Sequence, residues 1–433
     1  MKQKRSSGEK ISLQLQILCR LYPAIPYIFK WTLICLLVGA CIGSASAGFL
    51  ISLDWVTGFR ESHLWLIALL PLGGFLIGLL YHYFGKESEA GNNLLIDTIH
   101  TPQKIVPFRM APLVYVGTIA THFFGGSAGR EGTALQMAGA IADQFSKPLR
   151  LSVSDRAILM ISAVAGGFGS VFGTPLAGAV FGLEFFTIGR IRYNALFPAF
   201  MTAVIADLVT KLWQAHHTHY HISIIPDISL LNIVYAIVAG VFFGLCASAF
   251  SKTIHKTTAV FKSKIAYPPL RPLIGGIIVA LAVWAIGTTK YIGLGIPTIV
   301  SSFDQQLPAY DFALKMAFTI LTLSAGFKGG EVTPLFFIGA TLGNALGYFI
   351  PLPLELLAGM GFVAVFSGAT NTPIACSIMA VELFGSGCGV YVAIACVVAY
   401  LLSGHNGIYR KQMIGEPKHQ RFSGHQGKRL NEL

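Results

Sequence analysis

Charge is what this sequence has least of. Only 12% of its 433 residues are Asp, Glu, Lys or Arg, where a soluble domain carries roughly 25%. A charged side chain in hydrocarbon costs several kcal/mol, so a chain that avoids charge over long runs reads as one solvated by lipid. Trp31 to Leu53 and Leu230 to Ser251 contain no charged residue, and each is long enough to span, since about 20 apolar residues in a helix match the hydrocarbon thickness. No CxxC pair occurs, and six of the seven cysteines (Cys35, Cys41, Cys246, Cys376, Cys388 and Cys396) fall in apolar stretches. That excludes a disulfide framework and a zinc site, and leaves buried thiols. An intramembrane enzyme needs a nucleophile with a base, or a metal cluster; Ser162 and His405 stand without a hydrolase or zinc-protease motif around them. An assembly or anchor protein needs none of the acidic features described below.

The charge that is present sums to +12, and its placement explains it. Lys2, Lys4, Arg5, Lys10, Arg20 and Lys30 gather at one end; Arg410, Lys411, Lys418, Arg421, Lys428 and Arg429 gather at the other. Positive segments stay on the cytoplasmic side of a bilayer, so both termini are expected there, in the cell (inner) membrane. The bases have no interleaved aromatic platforms, which argues against a nucleic-acid partner. Residues 1–30 read as a cytoplasmic basic arm, and the apolar segment that follows is too long for a cleaved signal peptide. Residues 406–433 read as a solvated basic tail with no appended regulatory domain. The histidine-rich run Trp213 to His221 lies in a polar linker, 214–229. It lacks the nearby carboxylates that orient metal-bound histidines, so no metal and no cofactor is expected.

Many apolar stretches are shorter than a full span and are broken by Gly or Pro. Helices that stop partway across a membrane must line a buried or watery cavity, and interrupted segments in matching places in two halves point to a transport site. The chain does repeat. REGTALQMAGA from Arg130 matches GEVTPLFFIGA from Gly330, TPLAGAVFGLE from Thr174 matches TPIACSIMAVE from Thr372, and GNNLL from Gly91 matches GLGIP from Gly293. The offsets are 200, 198 and 202. The expected fold is an all-α polytopic membrane protein of two inverted repeats, 31–213 and 230–405, with interrupted helices.

Two segments carry chemistry. Gly125 to Thr133 reads GGSAGREGT and Gly326 to Pro334 reads GFKGGEVTP. Each is a Gly-rich turn, then a glutamate, then a helix start. Helix N-termini present free N–H groups and partial positive charge, which suits an anion. A carboxylate from Glu131 can occupy that place, and it must leave when protonated because the charge that held it is gone. One side chain then carries a proton and gates an anion. In an inverted repeat the second start, with Glu331 and Thr333, converges on the same spot. Asn92 and Asn93 are candidate donors. Glu184 and Glu382 are expected to end helices or cap neighbours, and Lys315 and Lys328 to sit at water-facing helix ends.

GREGT closely resembles the GREGP signature of the CLC family of chloride channels and anion/proton exchangers. The resemblance covers nearly the whole apolar chain: GNNLL stands where the family has GSGIP, GGEVTP where it has GGIFAP, and SGHNGIY precedes the tail near the family's pore tyrosine. The departures at Asn92, Glu331, Thr333 and Phe185 resemble the fluoride/proton antiporter branch. The resemblance implies a CLC-type fold and a homodimer with one pore per subunit. It implies fluoride export in exchange for proton entry, with Glu131 as gate and proton carrier and Glu331 as a central acid. It also implies an anion path along Asn92, Asn93, Gly129, Arg130, Gly132, Thr133, Gly330, Val332, Thr333 and Tyr409. A chloride/proton antiporter or a passive anion channel of the same fold is the alternative. Phe185 stands where proton-coupled chloride exchangers often carry an internal glutamate, so Glu331 is the available substitute.

Overall fold

The computed structural model describes residue 22 and residues 24–433 apart from 103 and 219; the basic residues Lys2 to Arg20 lie outside the described residues. The described residues hold sixteen α-helices, which fall into two sets of eight. The first set is α1 (Ala24–Ser62), α2 (Leu70–Phe84), α3 (Asn92–His100), α4 (Met110–Phe123), α5 (Glu131–Asp143), α6 (Val153–Phe172), α7 (Pro175–Glu184) and α8 (Leu196–Leu212). The second is α9 (Leu230–Lys264), α10 (Leu270–Ile286), α11 (Ile296–Asp304), α12 (Asp311–Ser324), α13 (Val332–Leu346), α14 (Leu354–Thr370), α15 (Pro373–Phe384) and α16 (Gly389–Leu402). Each helix of the first set has a counterpart in the second at about the spacing seen in the sequence. One register differs. Gly91 and Gly295 are the residues that precede α3 and α11, both with positive φ (56° and 75°), so the match of Gly91 to Gly293 is two residues out of step with the helix starts.

Among the described residues five segments are long and apolar enough to cross a membrane: Ala24–Ser62, Leu64–Phe84, Val153–Phe172, Tyr193–Leu212 and Leu230–Lys264. The helices at the glutamate motifs are short. α5 has 13 residues and α13 has 15, and 13 residues rise only about 20 Å, less than the roughly 30 Å of hydrocarbon. Breaks occur where the sequence dictates them. α6 ends at Gly173 and α14 at Asn371, both left-handed, and in each case Thr-Pro follows and opens the next helix. Proline suits that first position because its missing N–H is not needed there. Without a hydrophobic force between helices in lipid, small residues let backbones touch. α13 meets α14 this way: a Cβ on Gly343 would lie 2.0 Å from the Leu357 carbonyl oxygen, and one on Gly339 2.0 Å from that of Gly361.

Both ends of the chain depart from expectation. α1 begins at Ala24, so the last residues assigned to the basic arm are helical. The C-terminal segment is not a solvated tail. It folds back across both halves as a strap, with Met413–Ile414 pairing in parallel with Thr187–Ile188. Gln412 Nε2 donates to the carbonyls of Phe185 (2.8 Å) and Thr370 (2.7 Å), one in each half. Arg429 and Lys411 form ion pairs with Asp97, and Lys418 Nζ donates to the carbonyls of Tyr400 and Gly404, each at 2.7 Å. Burial and the neighbouring Lys418 and His425 push the pKa of His405 in this strap down to about 4, so it is neutral against those bases. The linker between α8 and α9 is non-helical. His216 and His221 are exposed, but His217 tucks in, its Nε2 2.9 Å from the Ser170 carbonyl oxygen.

Candidate functional site

The two glutamate motifs meet. Gly129 N–H donates to the Gly330 carbonyl (2.6 Å) and Gly330 N–H to the Gly129 carbonyl (2.8 Å), an isolated antiparallel bridge between the halves. Only glycine permits it. A Cβ on Gly330 would lie 2.6 Å from the Gly132 nitrogen, and one on Gly129 2.9 Å from a Glu131 carboxylate oxygen. Gly329 also sits at φ 149°, a conformation that side chains resist.

Beside this bridge the Glu131 side chain is fully buried and is held as an anion would be. Glu131 opens α5, yet its carboxylate lies at the start of α13 in the other half. Oε2 accepts from the Thr333 N–H (3.1 Å) and from the Arg130 N–H (3.1 Å), and Oε1 accepts from the Thr333 hydroxyl. Arg130 Nε is 3.6 Å from Oε1. A hydrogen bond to a charged group contributes roughly 1.5–3 kcal/mol, and the helix N-terminus adds a favourable dipole. The spot is therefore built from amides, a hydroxyl and one guanidinium, all donors.

A cavity of about 190 Å³ on the face that carries the C-terminal strap reaches Asn92, Gly329 and Glu331 beside the bridge. Asn92, Asn93, Glu331 and Tyr409 line it. Asn92 lies against the loop: a Cβ on Gly132 would be 3.2 Å from its Nδ2. Its Oδ1 and the Tyr409 hydroxyl are buried without a hydrogen-bond partner among the described residues. Glu331 is only partly buried and faces this cavity, unlike its counterpart. Val332 is buried at the first position of α13. Two expected path residues have other partners. The Thr133 hydroxyl is paired with that of Thr118 at 2.6 Å, and Asn93 Oδ1 accepts from the Lys411 N–H of the strap. Thr133 packs helices α4 and α5 together, because β-branched hydroxyls in an apolar core must find a partner.

Other sequence expectations sort by geometry. Glu184 accepts from the N–H groups of Ile374 and Ala375 at the start of α15, and Glu382 from those of Leu176 and Ala177 at the start of α7. Each acid caps the other half's equivalent helix. Lys328 lines the cavity as a water-facing residue should. Lys315 does not: it is fully buried and donates to the carbonyls of Tyr291 (3.2 Å) and Gly293 (2.7 Å). It satisfies the loop that precedes α11. Phe185 is fully buried, its ring 4.6 Å from that of Tyr409. Gln136 and Tyr81 also line the cavity, outside the expected path residues. Gln136 was the legible one, a lone amide in the apolar helix α5 that turns out to line the cavity. Ser127 completes a literal G-x-S-x-G string within Gly125 to Gly129, but its hydroxyl pairs with Thr319 Oγ1 at 2.9 Å; that bond packs α12 against the loop.

The family model of the voltage gated chloride channels matches residues 73–404. A chloride/fluoride channel protein of Pseudomonas syringae pv. tomato is 53% identical over 403 residues, 92% of this chain and 89% of that one. The crystal structure of a CLC-type fluoride/proton antiporter superposes with a TM-score of 0.86 at 34% identity, covering 89% of this chain and 98% of the other. The structure of a slow cyanobacterial Cl−/H+ antiporter superposes at 0.76 with 18% identity, over 86% and 94%, which speaks to the fold alone. A family model matched over most of the chain, a relative more than half identical along nearly its full length and a shared arrangement of interrupted helices together make this chain a multi-pass membrane protein of the CLC family.

Proposed function

We propose that this protein exports fluoride from the cytoplasm in exchange for protons, with Glu131 as both gate and proton carrier. The observation that carries the reading is the Glu131 carboxylate seated on the Thr333 amide and hydroxyl at the start of α13. A proton arriving at Glu131 removes the charge for which that seat is built. The neutral side chain leaves, and a halide takes the vacated donors. The next deprotonation drives the carboxylate back and expels the anion. Fluoride fits the seat because it is small and strongly hydrated, and its hydration must be replaced donor for donor in a dry site. The Thr333 amide and hydroxyl and the Arg130 amide supply such donors. The relative named as a chloride/fluoride channel and the matched fluoride/proton antiporter support the same substrate.

In this reading residues 31–213 and 230–405 act as inverted halves around the bridge, the termini and the strap lie on the cytoplasmic face, and two subunits each carry one path. The word channel in the relative's name favours one further reading, a passive anion path of the same fold, with or without chloride as the cargo. Purified protein in liposomes separates them. Fluoride and chloride electrodes follow efflux while internal pH is recorded. Exchange predicts that fluoride efflux drives proton uptake and that Glu131→Gln stops the proton movement while anion movement continues. Fluoride efflux with no pH change in the unmodified protein, or proton uptake driven by a fluoride gradient in Glu131→Gln, defeats the assignment.

A further inference from the structure

Free positive charge is distributed unequally among the cavities of the molecule. On the strap side, the cavity that leads to Glu331 adjoins a wider one of about 330 Å³; Tyr81, Glu89, Leu323, Phe327 and Lys328 line both. Lys328 stands at the junction. Its Nζ lies 3.8 Å from the centroid of the Tyr81 ring, and it makes no ion pair among the described residues. Its backbone N–H donates to Thr121 Oγ1 (3.2 Å), which fixes it two residues before the Gly330 bridge. Lys86 and Lys262 line the wider cavity, with Glu89 as the one carboxylate among the lining residues. Another cavity, of about 390 Å³, also has cations, Arg60 and Lys290, together with the acids Asp54 and Glu61. Both are already engaged: Arg60 with the His122 carbonyl and Glu61, and Lys290 with Asp311. At the place that corresponds to Lys328 the first half has Ala128, fully buried.

We propose that Lys328 is an anion-collecting site at the strap-side mouth, taking small inorganic anions of the halide class before they reach the seat of Glu131. The inference rests on the exchange reading above and adds to it the step that loads the path. An aromatic face holds an ammonium without neutralising it, so the charge stays available to a mobile ion. In a cavity with low-dielectric walls such a charge raises the local anion concentration. Lys328 does not touch Glu131 in this arrangement, so it sets how readily the site fills and leaves the proton step alone.

The test is a split between apparent affinity and turnover. Initial efflux from liposomes is measured against internal fluoride concentration for the unmodified protein, Lys328→Gln and Lys328→Arg. Lys328→Gln is expected to raise KM about three- to tenfold with kcat and the fluoride-to-proton ratio unchanged, and Lys328→Arg to restore KM to within about twofold, because guanidinium also stacks on an aromatic ring. Raising ionic strength with potassium gluconate should raise the KM of the unmodified protein, since salt screens exposed charge, and leave that of Lys328→Gln nearly flat. A fall in kcat or in thermal stability with KM and its salt dependence unchanged would mean a packing role and overturn the inference. If the unmodified protein moves no fluoride, the parent reading fails by itself. Lys328 is then judged by fluorine NMR, in which line broadening of sodium fluoride by the purified protein must weaken in Lys328→Gln; equal broadening overturns it.

Discussion

The loops Gly125 to Thr133 and Gly326 to Pro334 have nearly the same pattern and the same backbone task, and they end in different chemistry. Both are glycine turns, both bring a glutamate to a helix start, and they join each other through the Gly129–Gly330 bridge. Glu131 crosses that junction and is buried against Thr333 of the other half, whereas Glu331 stays on its own side, partly exposed in the strap-side cavity. Their threonines diverge in the same way. Thr333 donates its hydroxyl to Glu131, whereas Thr133 spends its own on Thr118. An inverted repeat therefore supplies two equivalent frames, and which one becomes the seat is decided by a few side chains. Because the seat joins Glu131 and Arg130 of the first half to Thr333 of the second, either half alone is incomplete.

The largest effect should come from breaking the junction itself. Gly330→Val has no backbone room beside Gly132, and a displacement of about 1 Å at a reacting centre costs on the order of a hundredfold. Fluoride efflux should fall by at least that factor; efflux within tenfold of normal would show that the bridge can give. Next comes the pair of acids. Glu131→Gln should lose proton coupling entirely, while Glu331→Gln, whose carboxyl only faces the cavity, should retain coupling with proton flux slowed by about a hundredfold, the low end of what a positioned proton-transfer group contributes. Equal loss in both, read from simultaneous fluoride and pH traces, would erase the distinction drawn between the two loops. The threonines should differ less. Thr333→Val removes one hydrogen bond to a charged group, roughly a tenfold effect or somewhat more on coupled exchange; Thr133→Val should stay within about threefold, because it removes only a bond between two hydroxyls.

Much of this was legible in the sequence because the repeat is written in residues that cannot be exchanged freely. Gly before Glu, Thr-Pro at a helix start and Glu at a helix end recur in order, and each recurrence corresponds to a backbone requirement that only a few residue types meet. The meeting of the two glycine loops followed from that. What stayed hidden depends on where side chains turn after the backbone is set. Nothing in the string GREGT distinguishes a threonine that faces the path from one that pairs with Thr118. Lys315 reads as a helix-end lysine, and only the packed loop shows that two carbonyls need its protons. The strap was hidden for another reason: its bases look solvated until Asp97, itself in the first half, is seen to receive Arg429 and Lys411.

The smallest effect tests a place where the halves behave alike. Glu184 and Glu382 each hold two N–H groups at the start of the other's helix, so the symmetry at this point is one of helix capping. A charge at a helix N-terminus contributes about 0.3–1 kcal/mol when exposed and up to about 2 when partly buried. Glu184 is the more buried of the two acids. Glu184→Gln should therefore lower thermal stability in detergent by more than Glu382→Gln, with the fluoride-to-proton ratio unchanged in both. A changed ratio in Glu184→Gln alone would place a second acid on the proton route and make the halves unequal here too, despite the swapped hydrogen bonds that now make them look the same.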